Sequence, residues 1–362
     1  MLTATCMIAM KTALIVGATG IVGRNLADLL ISEKNWTIYG AARRPGQREG
    51  ILPIPVDLQD AAAVAAALKD VRPTHIFLAT WLRQSTEAEN IRVNAGMVRN
   101  VLDAVSSAKS VERVALVTGL KHYLGPFEAY GKGMLPTTPF REEMPRLEIE
   151  NFYYAQEDEV FAAAARDGYG WTIHRPHTII GYAVGNAMNM GTTLAIYATI
   201  CKELGRPMRF PGSSVQWNSL TDMTDARLLA HHLQWAATTP AARNHAFNVV
   251  NGDVFRWSWM WERLATWFGL EPAPFPGEGT PLEKQLADAG PVWAEIARRH
   301  GLREPNLDIL ASAWHTDADL GRPIEVVTDM SKSRKLGFLE YQATDDSFFD
   351  LFSRLREERL IP

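Results

Sequence analysis

A glycine-rich segment near the amino terminus has the spacing of a phosphate-binding turn. An apolar run precedes it, and an apolar pattern of helical period follows. The first glycine permits a tight turn, the second lets the backbone approach a pyrophosphate, and the third allows a helix to pack closely on a strand. We therefore predict a dinucleotide site at the amino end of that helix, with a purely structural turn as the alternative. The residues assigned to the site are Gly17, Thr19, Gly20, Ile21, Val22 and Gly23.

Two adjacent arginines, Arg43 and Arg44, end the second apolar run, about twenty residues after Gly23. A site that prefers NAD presents an acidic residue there, which accepts hydrogen bonds from the ribose hydroxyls. Guanidinium groups instead match a 2′-phosphate through paired, charge-assisted hydrogen bonds. The arginines therefore predict NADP(H) as the cofactor. The alternative is that they are ordinary surface residues after a strand.

Residues at the ends of later strands could complete this site, because open α/β sheets hold ligands at the carboxyl ends of their strands. Asp57 could accept from the adenine amino group, although capping of a strand end explains it equally well. Thr80 and Trp81 could line the adenosine and nicotinamide side, and Thr118 ends the next strand. The backbone near Ile179 is expected to meet the nicotinamide carboxamide.

The chain lacks the Tyr-x-x-x-Lys motif that dehydrogenases with such a turn commonly carry on a helix. None of the nine tyrosines has a lysine four residues later, and Tyr153 has Glu157 there. An acid at that position would raise the pKa of a tyrosine, the opposite of what catalysis needs. Lys121, just after the fifth predicted strand, could approach a tyrosine on the next helix instead. Tyr154 is interpreted as a packing residue.

Strands and helices alternate along the first half of the chain. The predicted strands are 13–16, 37–42, 51–56, 75–79, 113–118 and 171–175, and the predicted helices are 21–33, 61–68, 94–108 and 151–166. This alternation predicts an α/β fold with a Rossmann-type, doubly wound parallel sheet. Residues 121–146 are predicted to be an ordered loop, and the remainder mixes helices (192–204, 225–237, 258–268) with short strands (207–210, 246–250).

We expect residues 11–182 to form the NADP-binding domain, with Lys121 and Tyr153 in it. Residues 183–362 are expected to form mainly a smaller substrate-binding or lid lobe, part of which returns to the sheet. The first ten residues carry no basic segment of a signal peptide and are interpreted as an N-terminal extension.

The composition excludes several other classes of protein. The 362 residues are 47% hydrophobic and 22% charged, which is ordinary for a globular protein. A formal charge of −4 offers no basic surplus for nucleic acid, and no apolar run is long enough for a membrane span. Cys6 and Cys201 are the two cysteines, so neither a disulfide framework nor a cysteine-rich metal site is expected. We predict a cytoplasmic protein, and the sequence leaves a homodimer open.

Several segments together resemble the progesterone 5β-reductase/iridoid synthase-like group of short-chain dehydrogenases. The resemblance runs in order from about residue 11 to residue 215 and continues more weakly to the end. The segments that carry it are the glycine-rich turn, Ala42-Arg43-Arg44-Pro45, Thr118-Gly-Leu-Lys-His-Tyr, Gly125-Pro-Phe-Glu, Asn151-Phe-Tyr-Tyr and His174-Arg-Pro. The resemblance implies an extended short-chain dehydrogenase fold.

In that family the lysine of Lys-His-Tyr and the first tyrosine of Asn-Phe-Tyr-Tyr are catalytic, and here these positions are Lys121 and Tyr153. The resemblance implies NADPH-dependent 1,4-reduction of an enone, with a small apolar carbonyl compound as substrate. The closest alternative is 1,2-reduction of a ketone or aldehyde, because the same donor and hydride serve both reactions. A non-catalytic NADP sensor on the same fold is the alternative of another class.

An apolar pocket is predicted from aromatic residues and methionines, although core packing explains each one taken singly. The candidates are Trp81, Phe127, Met134, Met188 and Trp217. The family commonly has a small residue, often glycine, where His177 stands, and this departure could alter the cofactor side of the pocket. A packed histidine is favoured there over a catalytic acid. The chain has no His-Glu-x-x-His motif, so no metal is expected.

Overall fold

A computed structural model describes residues 10–126, 129, 137–186 and 188–362. Contacts divide the described residues into two compact units whose segments alternate along the chain. The first unit contains the described residues up to Thr118, together with Glu150–His174 and Ala230–Ala246. The second unit contains the described residues of Gly119–Ile149, Arg175–Leu229 and Phe247–Pro362. These units interleave, whereas the predicted domains meet at residues 182 and 183, and the roles predicted for those domains stay predictions.

Parallel strands form the main sheet. In chain order the strands are β1 (Lys11–Val16), β2 (Trp36–Ala42), β3 (Leu52–Pro55), β4 (His75–Leu78), β5 (Arg113–Val117), β6 (Gly170–Pro176), β7 (Ile179–Ile180), β8 (Thr224–Asp225) and β9 (His245–Val249). Within the described residues, seven strands form one sheet in the order β3-β2-β1-β4-β5-β6-β9, and those from β3 to β6 pair in parallel. β7 and β8 form a separate parallel pair. The predicted Rossmann-type, doubly wound sheet is therefore confirmed.

Helices connect the strands and make up most of the later chain. They are α1 (Ile21–Glu33), α2 (Ala61–Leu68), α3 (Glu87–Ser106), α4 (Lys121–Leu124), α5 (Phe152–Asp167), α6 (Met190–Glu203), α7 (Ser214–Asn218), α8 (Ala226–Thr238), α9 (Trp257–Phe268), α10 (Leu282–Gln285), α11 (Ala289–His300), α12 (Leu307–Leu310), α13 (Ala313–Leu320), α14 (Ser331–Lys335) and α15 (Thr344–Glu357). Among the described residues no helix is both long and apolar enough to cross a membrane.

The first unit has an aliphatic core. Ala13 to Val16 of β1 are at most 1% exposed, as expected of a parallel strand that is covered on both faces. Leu14, Ile76 and Val114, on three adjacent strands, belong to the same buried cluster as Val101 of α3. This packing holds the carboxyl ends of the central strands in fixed positions.

The second unit has an aromatic core instead. Its largest fully buried side chains include Trp261, Trp293, Tyr197, Phe348 and Phe352. These aromatic side chains pack the helices of the second unit together.

α3 begins two turns earlier than the predicted start at residue 94. The Thr86 hydroxyl accepts a hydrogen bond from the Glu89 amide at 3.2 Å, and Glu87 and Glu89 stand in the first turn, where the helix dipole favours acids. The first residues of the helix are mostly polar and none of residues 87–92 is buried, so no apolar period marks them. The capping threonine was the signal that the prediction missed.

Two other local predictions differ from the structure. The predicted strand 207–210 is wrong, since the described residues there make a single bridge between Met208 and Pro272. The predicted loop 121–146 opens with the short helix α4, and Phe140 bridges to Thr328. Residues 127, 128 and 130–136 of that loop lie outside the described residues.

Candidate active site

The glycines of the turn are required for two different reasons. Gly17 has φ of +88°, and a Cβ there would lie 2.6 Å from the carbonyl oxygen of Ala79. A Cβ on Gly23 would lie 2.3 Å from the Gly17 carbonyl oxygen. A Cβ on Gly20 would approach only that same oxygen, at 3.4 Å, among the described residues. The first and third glycines are thus needed for packing, and the second leaves the backbone open to a ligand.

The amino end of α1 suits an anion. Gly20 is its N-cap and offers no side chain to bond the first amides, and the first turn contains no acidic residue. Thr19 is exposed next to Gly20, Ile21 is half-buried and Val22 is buried. Uncapped amides and the helix dipole together make this end electropositive. The turn therefore fits the pyrophosphate of a dinucleotide.

Arg43 and Arg44 lie directly after β2 and are both exposed. In the part of the chain that the structure describes, neither has a hydrogen bond or an ion pair. Arg48, five residues on, differs because it forms an ion pair with Asp28 and donates to the Arg24 carbonyl at 3.5 Å. Two guanidinium groups therefore remain available for an anionic ligand at this strand end.

Asp57 and Thr80 follow β3 and β4. One Asp57 carboxylate oxygen accepts from the Gln59 amide at 3.0 Å, which supports the capping interpretation for this exposed residue. The Thr80 Cβ would be 2.9 Å from a Cβ on Gly17, so the residues after β4 close directly on the turn.

Trp81 and Tyr153 belong to one row of aromatic rings in the first unit. The Trp81 ring stacks on Phe152 with centroids 5.4 Å apart, and Phe152 contacts Tyr153 at 4.3 Å. Asn94 of α3 fixes the residue after Trp81, since its side chain bonds both the amide (2.7 Å) and the carbonyl (2.9 Å) of Leu82. Trp81 and Tyr153 were predicted for separate reasons, and the structure brings them together.

Two polar side chains fix the start of α5, which carries Tyr153. The side-chain oxygen of Asn151 (Oδ1) accepts from the Tyr153 amide at 3.0 Å, and Glu87 of α3 accepts from the Phe152 amide at 2.7 Å. Tyr153 itself is 9% exposed. Glu157, one turn later, is buried, so an acid lies on the face where Tyr-x-x-x-Lys would carry its lysine. Sequence reasoning missed Glu87, although the N-cap residue type of Asn151 was readable.

Thr118 joins the ends of β5 and β6. Its amide donates to the His174 carbonyl at 2.8 Å, and its hydroxyl donates to the same oxygen at 3.3 Å. The side chain is 6% exposed. Its hydroxyl is therefore already engaged in holding two strand ends together.

In the second unit, Lys121 begins α4 and is 9% exposed. Tyr123 anchors this helix, because its hydroxyl donates to Asn248 at 2.7 Å and accepts from Arg175 at 3.3 Å. Its ring also stacks on Phe140 at 5.0 Å. Burial raises the pKa of Tyr123 to about 12, although the nearby Arg175 charge lowers it. Tyr123 is thus a fixed neutral support for α4, and Asn248 was not predicted.

Ile179 lies on β7 with one free strand edge. Ile179 is opposite Thr224 of β8, and the Thr224 amide donates to the Thr178 carbonyl at 3.1 Å. Because successive backbone groups of a strand point to opposite edges, the N–H and C=O of Ile179 face away from β8. Among the described residues no other strand pairs with β7. That edge can therefore bond an amide group of a ligand.

Comparison with known proteins places the chain in a family. Residues 59–362 match the family described as a PRISE-like Rossmann-fold domain. The chain belongs to this PRISE-like family. The resemblance inferred from the sequence motifs is thereby confirmed.

Relatives match along nearly the whole chain. An (S)-8-oxocitronellyl enol synthase of Camptotheca acuminata is 40% identical over 365 residues, which cover 97% of this chain and 93% of that protein. A 3-oxo-Delta(4,5)-steroid 5-beta-reductase of Arabidopsis thaliana is 39% identical, with the same coverage. The solved structure of the Bordetella bronchiseptica enzyme WbmG with NAD and UDP has a TM-score of 0.66 at 16% identity, covering 96% of each chain. At that identity the likeness shows the fold alone.

This PRISE-like chain departs from the expected small residue at His177, and the structure buries the histidine. Its Nδ1 lies 2.8 Å from a carboxylate oxygen of Asp222, and both side chains are almost inaccessible to solvent. The predicted packed role is supported over that of a catalytic acid.

The structure supports the predicted pocket residues unequally. Trp217 stacks on Phe275 at 4.8 Å and contacts Phe210 at 5.0 Å, within the aromatic core of the second unit. Met188 is half-buried just before α6. The predictions for Phe127 and Met134 lie outside the described residues. In the described ranges no cluster of three His, Cys, Asp or Glu side chains could hold a metal ion.

Proposed function

We propose that this chain is an NADPH-dependent reductase of the C=C bond of α,β-unsaturated carbonyl compounds. The observation that carries the proposal is 39–40% identity, over 97% of the chain, to relatives named as an oxocitronellyl enol synthase and a steroid 5-beta-reductase. One name refers to an oxocitronellyl compound and the other to a steroid. We therefore propose the reaction type and an apolar carbonyl substrate, and not one compound.

The preference for NADPH over NADH is proposed from the first unit. The turn from Gly17 to Gly23 would hold the pyrophosphate, while Arg43 and Arg44 would hold the 2′-phosphate. Two uncommitted guanidinium groups would leave NADH with an unbalanced positive charge at the same place. The adenosine would lie near Asp57 and Thr80.

Three further residues are proposed for the nicotinamide half. The backbone of Ile179 would bond the carboxamide, which is supported by the free edge of β7. Lys121 would anchor the nicotinamide ribose, and Trp81 would line the nicotinamide side. Thr118 would hold the nearby strand ends in position.

Tyr153 is proposed as the catalytic hydrogen-bond donor. When bound, the reduced nicotinamide supplies a hydride to the β-carbon of the substrate. Negative charge then develops on the substrate carbonyl oxygen, and the Tyr153 hydroxyl would stabilise it. The Lys121 ammonium would make that hydroxyl a stronger donor. A positioned donor of this kind contributes about 10²- to 10³-fold to the rate.

Product analysis tests the reaction type. Wild-type protein is incubated with NADPH and a panel of enones and saturated ketones, and the products are identified by mass spectrometry. The saturated ketone is expected from each enone that reacts. An allylic alcohol as the sole product would contradict the proposal and favour 1,2-reduction of the carbonyl. A protein that binds NADPH but turns over no member of the panel would favour the sensor.

A pair of neighbouring variants tests the role of Tyr153. Tyr153→Phe is expected to lower kcat by about 10²- to 10³-fold, because the phenyl ring keeps the packing on Phe152 but loses the donor. Tyr154→Phe is the matched control, since Tyr154 is also buried on α5 and has been interpreted as packing. Unchanged NADPH oxidation in Tyr153→Phe would remove Tyr153 from the mechanism.

A further inference from the structure

Two residues link β6 to β7, and both direct their side chains to buried carboxylates. His177 Nδ1 lies 2.8 Å from Asp222, and the Thr178 hydroxyl donates to Asp319 at 2.6 Å. The short segment that leads to Ile179 is therefore held by side chains from two distant parts of the second unit. We refer to His177, Thr178, Asp222, Asp319 and Arg322 as the His177 array.

Arg322 completes the array and fixes the tautomer of His177. Its Nη2 lies 3.0 Å from His177 Nε2, and a guanidinium can only donate, so Nε2 accepts this hydrogen bond. Nδ1 must then carry the hydrogen that is donated to Asp222. Both imidazole nitrogens are thus engaged. The ring acts as a rigid spacer between a carboxylate and a guanidinium, and its Nδ1 hydrogen is already donated to Asp222.

Further polar atoms of the array are also paired. The Thr328 amide donates to the second oxygen of Asp222 at 2.6 Å, and Arg322 Nε donates to the Asp319 carbonyl at 2.8 Å. Burial would raise the pKa of Asp319, but the charge of Arg322 and the Thr178 hydroxyl hold it below its ordinary value. Asp222, Arg322 and Asp319 are each at most 7% exposed. Buried charges with this degree of pairing define one geometry, because any shift leaves one of them uncompensated.

The array acts on the backbone that precedes Ile179. The His177 amide donates to the Thr224 hydroxyl at 3.1 Å, and the Thr178 carbonyl accepts from the Thr224 amide. Side chains and backbone together therefore fix both residues before β7, and so the direction of the free Ile179 edge. A glycine at position 177 could form the backbone bond only.

We propose that His177, held between Asp222 and Arg322, positions the β7 edge for the nicotinamide half of the cofactor. This inference rests on the proposed function, in which Ile179 bonds the carboxamide. His177 is a positioning residue and touches neither substrate nor cofactor. It is expected to set the affinity for the nicotinamide half and to leave the adenosine half unaffected.

Calorimetric binding of two ligands separates the two halves. NADPH reports on the whole site, and adenosine 2′,5′-bisphosphate reports on the adenosine half alone. His177→Gly is expected to weaken NADPH binding by about tenfold or more, because two hydrogen bonds to charged groups are lost, while the Kd for the bisphosphate stays within about twofold. Arg322→Met is expected to show the same split.

Two further variants guard against a loss of folding. His177→Asn keeps one donor and one acceptor without a ring, and it is expected to restore part of the NADPH affinity that His177→Gly loses. His75→Gln replaces a buried histidine at the amino end of β4, away from the strand ends that hold ligands. It is expected to lower the melting temperature without changing either Kd.

The outcomes distinguish this inference from the proposed function. Equal weakening of both ligands by His177→Gly, or no change in either, would overturn the positioning role alone. A wild-type protein that binds neither ligand would overturn the proposed function and this inference with it. The wild-type protein could bind NADPH and reduce no enone, while His177→Gly weakens NADPH binding and leaves bisphosphate binding unchanged. That result would support the positioning role and contradict the proposed activity.

Discussion

The glycine-rich turn of the first unit and the His177 array of the second are built in opposite ways. The turn is contiguous in sequence, and its shape follows from backbone atoms that leave no room for a Cβ at Gly17 or Gly23. The array joins side chains up to 145 residues apart, and its shape follows from the pairing of buried charges. A steric requirement on the backbone can be read from the sequence, whereas a set of mutual side-chain partners cannot.

Gly23→Ala should break the turn and give the largest effect. The added Cβ would lie 2.3 Å from the Gly17 carbonyl oxygen, and neither backbone segment can move without displacing the turn. We expect a loss of unfolding free energy of about 1–3 kcal/mol. NADPH binding is expected to fall by about 100-fold or more, since the displaced amides no longer meet the pyrophosphate. Thermal unfolding of the free protein and calorimetric binding measure the two effects.

Gly20→Ala is the matched control for this prediction. Its Cβ would approach only the Gly17 carbonyl oxygen, at 3.4 Å, among the described residues, and its φ of −74° suits alanine. The free protein should keep its unfolding free energy to within about 1 kcal/mol, while NADPH binds more weakly because the methyl group stands in the approach to the backbone. If both variants unfolded at the wild-type temperature, the packing argument for Gly23 would be wrong.

Removing the two uncommitted arginines should give the next largest effect and should act only on the cofactor with a 2′-phosphate. The double variant Arg43→Ala/Arg44→Ala is expected to weaken NADPH binding by about 10- to 100-fold, through loss of charge-assisted hydrogen bonds. NADH binding should remain within about twofold of wild type, which binding titrations of both cofactors can establish.

Arg48→Ala separates this effect from a general loss of positive charge. Arg48 is five residues after Arg43 but is already paired with Asp28, so its removal should leave the ratio of NADPH to NADH affinity unchanged. A similar change of that ratio in Arg48→Ala and in the double variant would show that overall charge, and not a 2′-phosphate site, explains the preference.

The fold was predictable wherever one element carried its own signal. Buried strands such as β1 and β5 appear as short apolar runs, and α5 carries an N-cap residue before an apolar period. The predicted start of α3 was wrong because a polar cap, Thr86, marks it and no apolar period does. The predicted strand near Met208 was wrong because that apolar run makes only a single bridge among the described residues.

The site was predictable only in its contiguous parts. The glycine turn, the arginine pair and the segments of Lys121 and Tyr153 are short motifs. The residues that hold these motifs in place lie far away in the sequence. Glu87 accepts from the Phe152 amide across 65 residues, and Tyr123 bonds Asn248 across 125 residues. Each support has an ordinary residue type and gains its role only from a partner that the fold brings near.

The buried histidines of the two units give the smallest predicted effect. Two charged side chains fix the hydrogen-bonding pattern of His177. His75 of the first unit differs, since burial, together with the Lys11 charge, lowers its pKa to about 4. Between that value and the ordinary value near 6.5, the unfolded chain binds a proton at this site and the folded protein does not.

Stability must therefore fall as the pH is lowered through this range. His75→Gln should remove the contribution of one proton from the pH dependence of the unfolding free energy. The stabilisation is fully present above pH 6.5 and is lost towards pH 4, with a slope of about 1.4 kcal/mol per pH unit for one histidine. Chemical denaturation from about pH 8 to about pH 5 is expected to show a shallower slope for the variant, while the difference from wild type stays constant above about pH 7.5. Equal slopes would mean that residue 75 binds the same number of protons in the folded and the unfolded protein, so that burial does not lower the pKa of His75. The contrast between the histidines of the two units would then not hold.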